Sequence, residues 1–202
     1  MKVNVAKEIS ATEGFAGGVI AQAAEGNVEV GVGTTQNNVA NTVAAGKLAG
    51  SQSVGGILGN NKTDSKVTIS TYKNADESVV SSIDVNIADY ENTYPGRGSE
   101  QHFTTTTDLI LYGTIQDLVG LMQDDVTITD AALTVSGALT DAKKKEVLYD
   151  LHSDQLHNTT TGEYYWGDTN GYVGYSQNGD YTLNGNVIVG EQQEGYNYYK
   201  AY

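Results

Sequence analysis

Cysteine is absent, which excludes disulfides, thiolate metal sites and cysteine nucleophiles. Proline occurs once, at Pro95, so little interrupts the backbone elsewhere. Bases are scarce. There is one arginine, Arg97, and only Lys143, Lys144 and Lys145 are adjacent among the lysines, whereas phosphate recognition needs clustered Lys and Arg. Nucleic acid is therefore not an expected partner. No run of about 18 apolar residues occurs, so no membrane-spanning helix and no membrane insertion is expected. Met1 to Gly26 lacks the 7–15-residue apolar stretch of a secretory signal and carries Lys7, Glu8 and Glu13. Two readings stay open: processing of an exported protein, or assembly without that pathway.

The apolar fraction of 39% lies below the roughly 45–50% of ordinary globular chains, which points to a thin or elongated core. Net charge is −14 and uneven, with 11 acids against 7 bases in residues 1–100 and 14 against 4 in residues 101–202. Solubility is the plain reading of this acidity, and a bound divalent cation the sharper alternative.

Glycine and short alternating apolar runs dominate what remains, and the first question for such a chain is internal repetition. Gly17-Gly18-Val19-Ile20-Ala21, followed by Gly26-Asn27-Val28-Glu29-Val30, aligns with Gly55-Gly56-Ile57-Leu58-Gly59, followed by Lys66-Val67-Thr68-Ile69, at an offset of 38 residues. Each reads as a short apolar strand, a polar turn and an alternating strand, with Val28, Val30, Val67 and Ile69 on one face. Two further copies keep this order. One runs from Val119-Gly120-Leu121-Met122 to Val126-Thr127-Ile128, the other from Gly171-Tyr172-Val173 to Tyr181-Thr182-Leu183, and their glycines Gly120 and Gly171 align with Gly18 and Gly56.

Val54-Gly55-Gly56-Ile57-Leu58-Gly59-Asn60-Asn61, and after it Gly171 to Ser176, resembles the GLUG-type repeats of bacterial surface proteins, whose core reads roughly Gly-Gly-Leu-Val-Gly-Tyr-Asn before a strand. The resemblance rests on short pieces covering about a third of the chain. It implies turns of a β-solenoid or related β-rich stack, as found in exported adhesins and in accessory regions of cell-wall proteases.

Tyr94-Pro95-Gly96-Arg97-Gly98-Ser99 is the strongest turn signal and suggests a boundary between a Gly-rich β-repeat region, 1–93, and a β-rich region, 99–202. The two could equally form one continuous domain. Thr104 to Tyr112 is a β-branched run, while Ile115, Leu118, Val119 and Met122 offer helical spacing that competes with the repeat reading. One short helix is predicted near 141–152, capped by Thr140 or Asp141, with Val147, Leu148 and Leu151 as its stripe.

Candidate chemistry is thin. His152 and His157 lie five apart, which on a helix does not place them on one face, and His102 is remote in sequence. Gly-x-Ser-x-Gly, His-Glu-x-x-His and phosphate-loop patterns are missing, and Asp168-Thr169-Asn170-Gly171 departs from the register of a calcium loop. Asp124, Asp125 and Asp130 could pair carboxylates for acid–base work, a geometry that spacing does not define. No catalytic, cofactor or metal residue is assigned. No cofactor is expected, and the chain reads as a non-enzyme.

Tyrosine stands out, because nine of the 14 lie from Tyr164 onward, together with Trp166. Alternating tyrosines fill β-pleats; they also give rigid, amphipathic area at low entropic cost. We take Tyr164, Tyr165, Trp166, Tyr172, Tyr175, Tyr181, Tyr196, Tyr198 and Tyr199 as a candidate contact surface. The resulting expectation is a mostly β fold, a solenoid-like or sandwich-like stack of strand-turn-strand repeats with one short helix. Its expected role is that of an extracellular or cell-surface protein of adhesin type, whose partners are a cell-surface or carbohydrate ligand or other copies of itself. A structural virion component and an accessory domain of a larger secreted enzyme stay open beside it.

Overall fold

The computed structural model describes residues 1–11, 14–31, 39–51, 53–92, 114–137, 172–173, 179–188, 191–192 and 199–200. Among them the fold is mostly β, with no helix and no closed sheet. The predicted helix near 141–152, the run Thr104 to Tyr112 and the Pro95 turn lie outside the described residues.

The strands fall into sets. The first comprises β1 (Lys2–Ala11), β2 (Ala16–Gly17), β3 (Ile20–Ala23) and β4 (Gly26–Val30); the second β5 (Val39–Gly50), β6 (Ser53–Gly55), β7 (Leu58–Asn61) and β8 (Ser65–Lys73). The third holds β9 (Val79–Ile87), β10 (Tyr90–Asn92), β11 (Thr114–Gln116), β12 (Val119–Met122) and β13 (Val126–Asp130). Then come β14 (Leu133–Gly137), β15 (Tyr181–Leu183), β16 (Asn186–Ile188), β17 (Glu191–Gln192) and β18 (Tyr199–Lys200).

Strands β1 to β15 pair in parallel from one set to another, β10 with the end of β5, whereas β16, β17 and β18 have only antiparallel partners. The ladders are β1 with β5, β9 and β14; β2 with β6 and β11; β3 with β7 and β12; and β4 with β8, β13 and β15. We call these sets tiers. Strands before and after residues 94–99 pair with one another, as β8 does with β13.

The residues aligned in the sequence sit side by side: Gly17 pairs with Gly55 and Ile20 with Leu58 at the 38-residue offset, and Val28 with Val67 one residue further on, at 39. Inward rows follow from the pleat, because alternate side chains share a face and parallel register stacks like on like. Val67, Ile69, Val126 and Ile128 are buried, as are Val43, Val85, Leu58 and Val119. The third copy corrects the sequence alignment. Gly120 lies between the pairs Leu58–Val119 and Asn60–Leu121, beside Gly59 rather than Gly56. Aligning on glycine misplaced it by three residues, because its corner is Gln116-Asp117 and holds no glycine. The helical spacing of Leu118, Val119 and Met122 also gives way, since all three are buried on or beside strand β12.

The corner between the two short strands of each tier bonds the same way each time. The amides of Val19 and Ile20 both donate to the Ile57 carbonyl, both at 3.0 Å, and those of Ile57 and Leu58 both donate to the Leu118 carbonyl at 3.0 and 2.9 Å. Leu118 and Val119 in turn donate to the Tyr172 carbonyl at 3.0 and 2.9 Å. Two donors per carbonyl satisfy two successive amides at each corner, and Gly18 and Gly56 donate separately to the Gly55 and Gln116 carbonyls. Elsewhere Asn61, fully buried, brackets two tiers: its Nδ2 donates to the Ser65 and Asp124 carbonyls at 3.0 and 2.9 Å, while its Oδ1 accepts the Gln123 amide at 3.1 Å.

A hairpin at residues 74–78 makes the end of β8 antiparallel to the start of β9. The β1, β5, β9, β14 ladder therefore runs opposite to the β4, β8, β13, β15 ladder.

Candidate contact surface

Of the described tyrosines of the C-terminal part, Tyr172 is held by the corner and Tyr181 by the last parallel ladder. Tyr172 precedes Val173, which is buried and bridges Val119 in parallel. Its ring is half-buried and its hydroxyl donates to Asp130 Oδ2 at 3.2 Å. Burial first, and then the negative charge of Asp130, push the phenol above its ordinary value.

Tyr181 is a correction. It pairs with Val126 across the last parallel ladder and is 2% exposed, so its ring is a core residue rather than part of a contact surface. The row that it continues, Val28, Val67 and Val126, is apolar, and an aromatic ring fills the same inward position. Burial also raises its phenol strongly. Tyr199 lies on β18, opposite Gln192 of β17. Tyr164, Tyr165, Trp166, Tyr175, Tyr196 and Tyr198 lie outside the described residues, as do His102, His152, His157 and Asp168.

Beyond Tyr181 the chain turns back. Leu183 pairs with Asn186 across a two-residue loop, Asn184-Gly185, whose φ angles of 50° and 80° are those that favour Asn-Gly in hairpins. This dipeptide is a hairpin signal that the sequence reading passed over. Asn184 donates through Nδ2 to Asp130 Oδ1 at 2.8 Å and accepts the Asp130 amide through Oδ1 at 3.1 Å. Val187, on the returning strand β16, is 55% exposed.

The carboxylates weighed for acid–base work hold turns. Asp124 accepts the amides of Asp64 and Asp125 at 2.6 and 2.7 Å, and Asp130 is taken by Asn184 and Tyr172. Asp125 accepts Lys66 Nζ at 2.8 Å and the Asp180 amide at 2.9 Å, joining three tiers at one corner. No group of three or more His, Cys, Asp or Glu side chains able to hold a metal lies among the described residues.

The Lys66 hydrogen bond, with that of the Asp180 amide, holds the Asp125 carboxyl below its ordinary value, and Asp125 raises Lys66. The depressed carboxyl stabilises the fold above the ordinary carboxylate value and loses that contribution as pH falls through its own. The raised lysine contributes below the ordinary lysine value and loses its share as pH rises. The stability gap between the native chain and Lys66→Met is therefore expected to be flat from about pH 5 to 9 and to close below about pH 4 and above about pH 11. Urea melts across this range check it. Because both side chains are well exposed, at 65% and 37%, the gap is small.

No family model, curated protein or solved structure matches the chain.

Proposed function

We infer that the chain is a non-enzymatic scaffold of adhesin type, a β-solenoid-like stack whose C-terminal tyrosines form the contact surface, acting at or outside the cell surface. One observation carries the reading: successive tiers pair strand for strand in parallel, an arrangement that builds a long, rigid body from short segments. The engagement of Asp124, Asp125 and Asp130 in turns fits a structural role. The resemblance of Val54 to Asn61 to GLUG-type repeats adds to it.

The contact set is now Tyr164, Tyr165, Trp166, Tyr172, Tyr175, Tyr196, Tyr198 and Tyr199. The ligand class proposed is carbohydrate, since flat aromatic rings stack on sugar faces while Asn and Gln neighbours supply hydrogen bonds. Trp166 is the only tryptophan, so its fluorescence reports on this region alone. Titration with bacterial and host polysaccharides is expected to shift that emission saturably, and deletion of Gly195 to Tyr202 to weaken binding at unchanged urea midpoint. Loss of monomer stability on deletion, with binding intact, would show these tyrosines to be core residues and overturn the assignment.

A further inference from the structure

The two ends of the stack differ. Among the described residues β1, β2, β3 and β4 each pair on one side only, with β5, β6, β7 and β8, so no described strand bonds their other edges. The inward rows stop at the same place. Val43 and Leu58 are fully buried and Val67 is 2% exposed, whereas their neighbours Val3, Ile20 and Val28 are only partly buried, as are Val5, Ile9 and Val19. At the other end the last parallel strand, β15, is covered by antiparallel β16. Head-to-tail stacking through that ladder is therefore blocked, and the open edge is left to meet another open edge.

We propose that the first tier is a self-association surface, through which two copies of the chain join end to end about a twofold axis, β1 of each pairing with β4 of the other. Charge selects this pairing. β1 bears Lys2 and Lys7 against the single acid Glu8, while β4 and the turn before it bear Glu25 and Glu29 and no base, all of them exposed. Setting β1 on β1 opposes lysine rows, and setting β4 on β4 opposes glutamates, either of which is unfavourable. A twofold axis along the strand direction exchanges the two ladders instead and brings unlike charges together.

Strand direction agrees. Since β1 runs opposite to β4, and rotation about an axis along the strands keeps their sense, β1 meets β4 of the second copy antiparallel. One register then sets Val3 against Val28 of the second copy on the inner face and Lys2 against its Glu29 on the outer face. Half-buried apolar side chains close on one another, and the core continues across the junction. The bulge of β1, where Ala6 and Lys7 oppose the single Gly46, interrupts the flat edge. It limits the new ladder to about the length of β4, and bulges and lysines are the usual guards against indiscriminate edge pairing. The junction is isologous, so it closes at two copies. It lies at the opposite end of the ladders from Tyr172, which precedes the Val119–Val173 bridge, and does not depend on the contact-surface reading.

The test is sedimentation equilibrium of the full chain with charge reversal and rescue. The native chain is expected to fit a monomer–dimer equilibrium that weakens as salt rises. Glu29→Lys is expected to raise the dissociation constant at least tenfold, and Lys2→Glu added to it to restore most of the affinity. Both positions are exposed, so far-ultraviolet circular dichroism, and the urea midpoint measured below the native dissociation constant, should match the native chain in every variant. A monomer at all concentrations overturns the proposal. So does a dimer indifferent to Glu29→Lys, or one that the second reversal fails to restore.

Discussion

Gly55→Ala is expected to destabilise the fold by about 3 kcal/mol or more. An alanine Cβ there would fall far inside contact distance of the Leu58 carbonyl oxygen and 2.5 Å from the Gly120 amide nitrogen, with the Leu118 carbonyl oxygen at 2.8 Å. All three are backbone atoms, which no rotamer change can move away. Relief requires the corner to open, and opening it lengthens the paired bonds from Ile57 and Leu58 to the Leu118 carbonyl. Gly185→Ala is the control. Its φ of 80° disfavours alanine, yet nothing lies within 4 Å of the added carbon, so a loss of only about 1 kcal/mol is expected. Urea denaturation of both variants measures the difference. A Gly55→Ala chain within about 1 kcal/mol of the native one would mean that the corner is not packed as described.

Leu58→Ala is expected to cost about 2–5 kcal/mol, whereas Ile20→Ala, one tier away in the same row, should cost clearly less. Leu58 is fully buried between Ile20 and Val119, so removing its branches leaves a cavity walled by two strands that are pinned by ladder bonds. Ile20 is only half-buried at the open end, and the site can relax toward solvent. Should the two variants prove equally destabilised, the first tier would be as well covered as the second. The measurement is best made below the dissociation constant of any dimer, where the open edge is not capped.

Period-two runs such as Val28 to Val30 and Val67 to Ile69 made the strands legible in the sequence, because a parallel stack repeats its inward residues at the same positions. The pairing of Gly17 with Gly55 and of Ile20 with Leu58 was legible for the same reason, two Gly-Gly corners of equal length. At Gln116-Asp117 the corner carries no glycine, and the signal that registers one tier on the next disappears. Tyr181 was misread because its neighbours Asp180 and Thr182 are polar; its burial comes from a row of valines that is contiguous only in three dimensions. Asn61 was legible only as the end of the Val54 to Asn61 motif. A buried asparagine that brackets two tiers has the same local sequence as one in a surface turn. Nothing in the linear order signals that Lys66, Asp125 and Asp180 share a corner, since the ladder alone brings them together.

The parallel ladders also give the molecule a mechanical direction. Bonds between tiers point along the stacking axis and are linked in series, so every junction carries the same tension along that axis and the one with the least buried side chains, at the first tier, opens first. Tension along a strand instead loads every bond of its ladder together, in shear. A load along the axis should therefore peel the outermost tier before the middle ones, with β1 holding longest by its eight register pairs to β5. Such a body yields stepwise when pulled end to end and resists as a unit when pulled across.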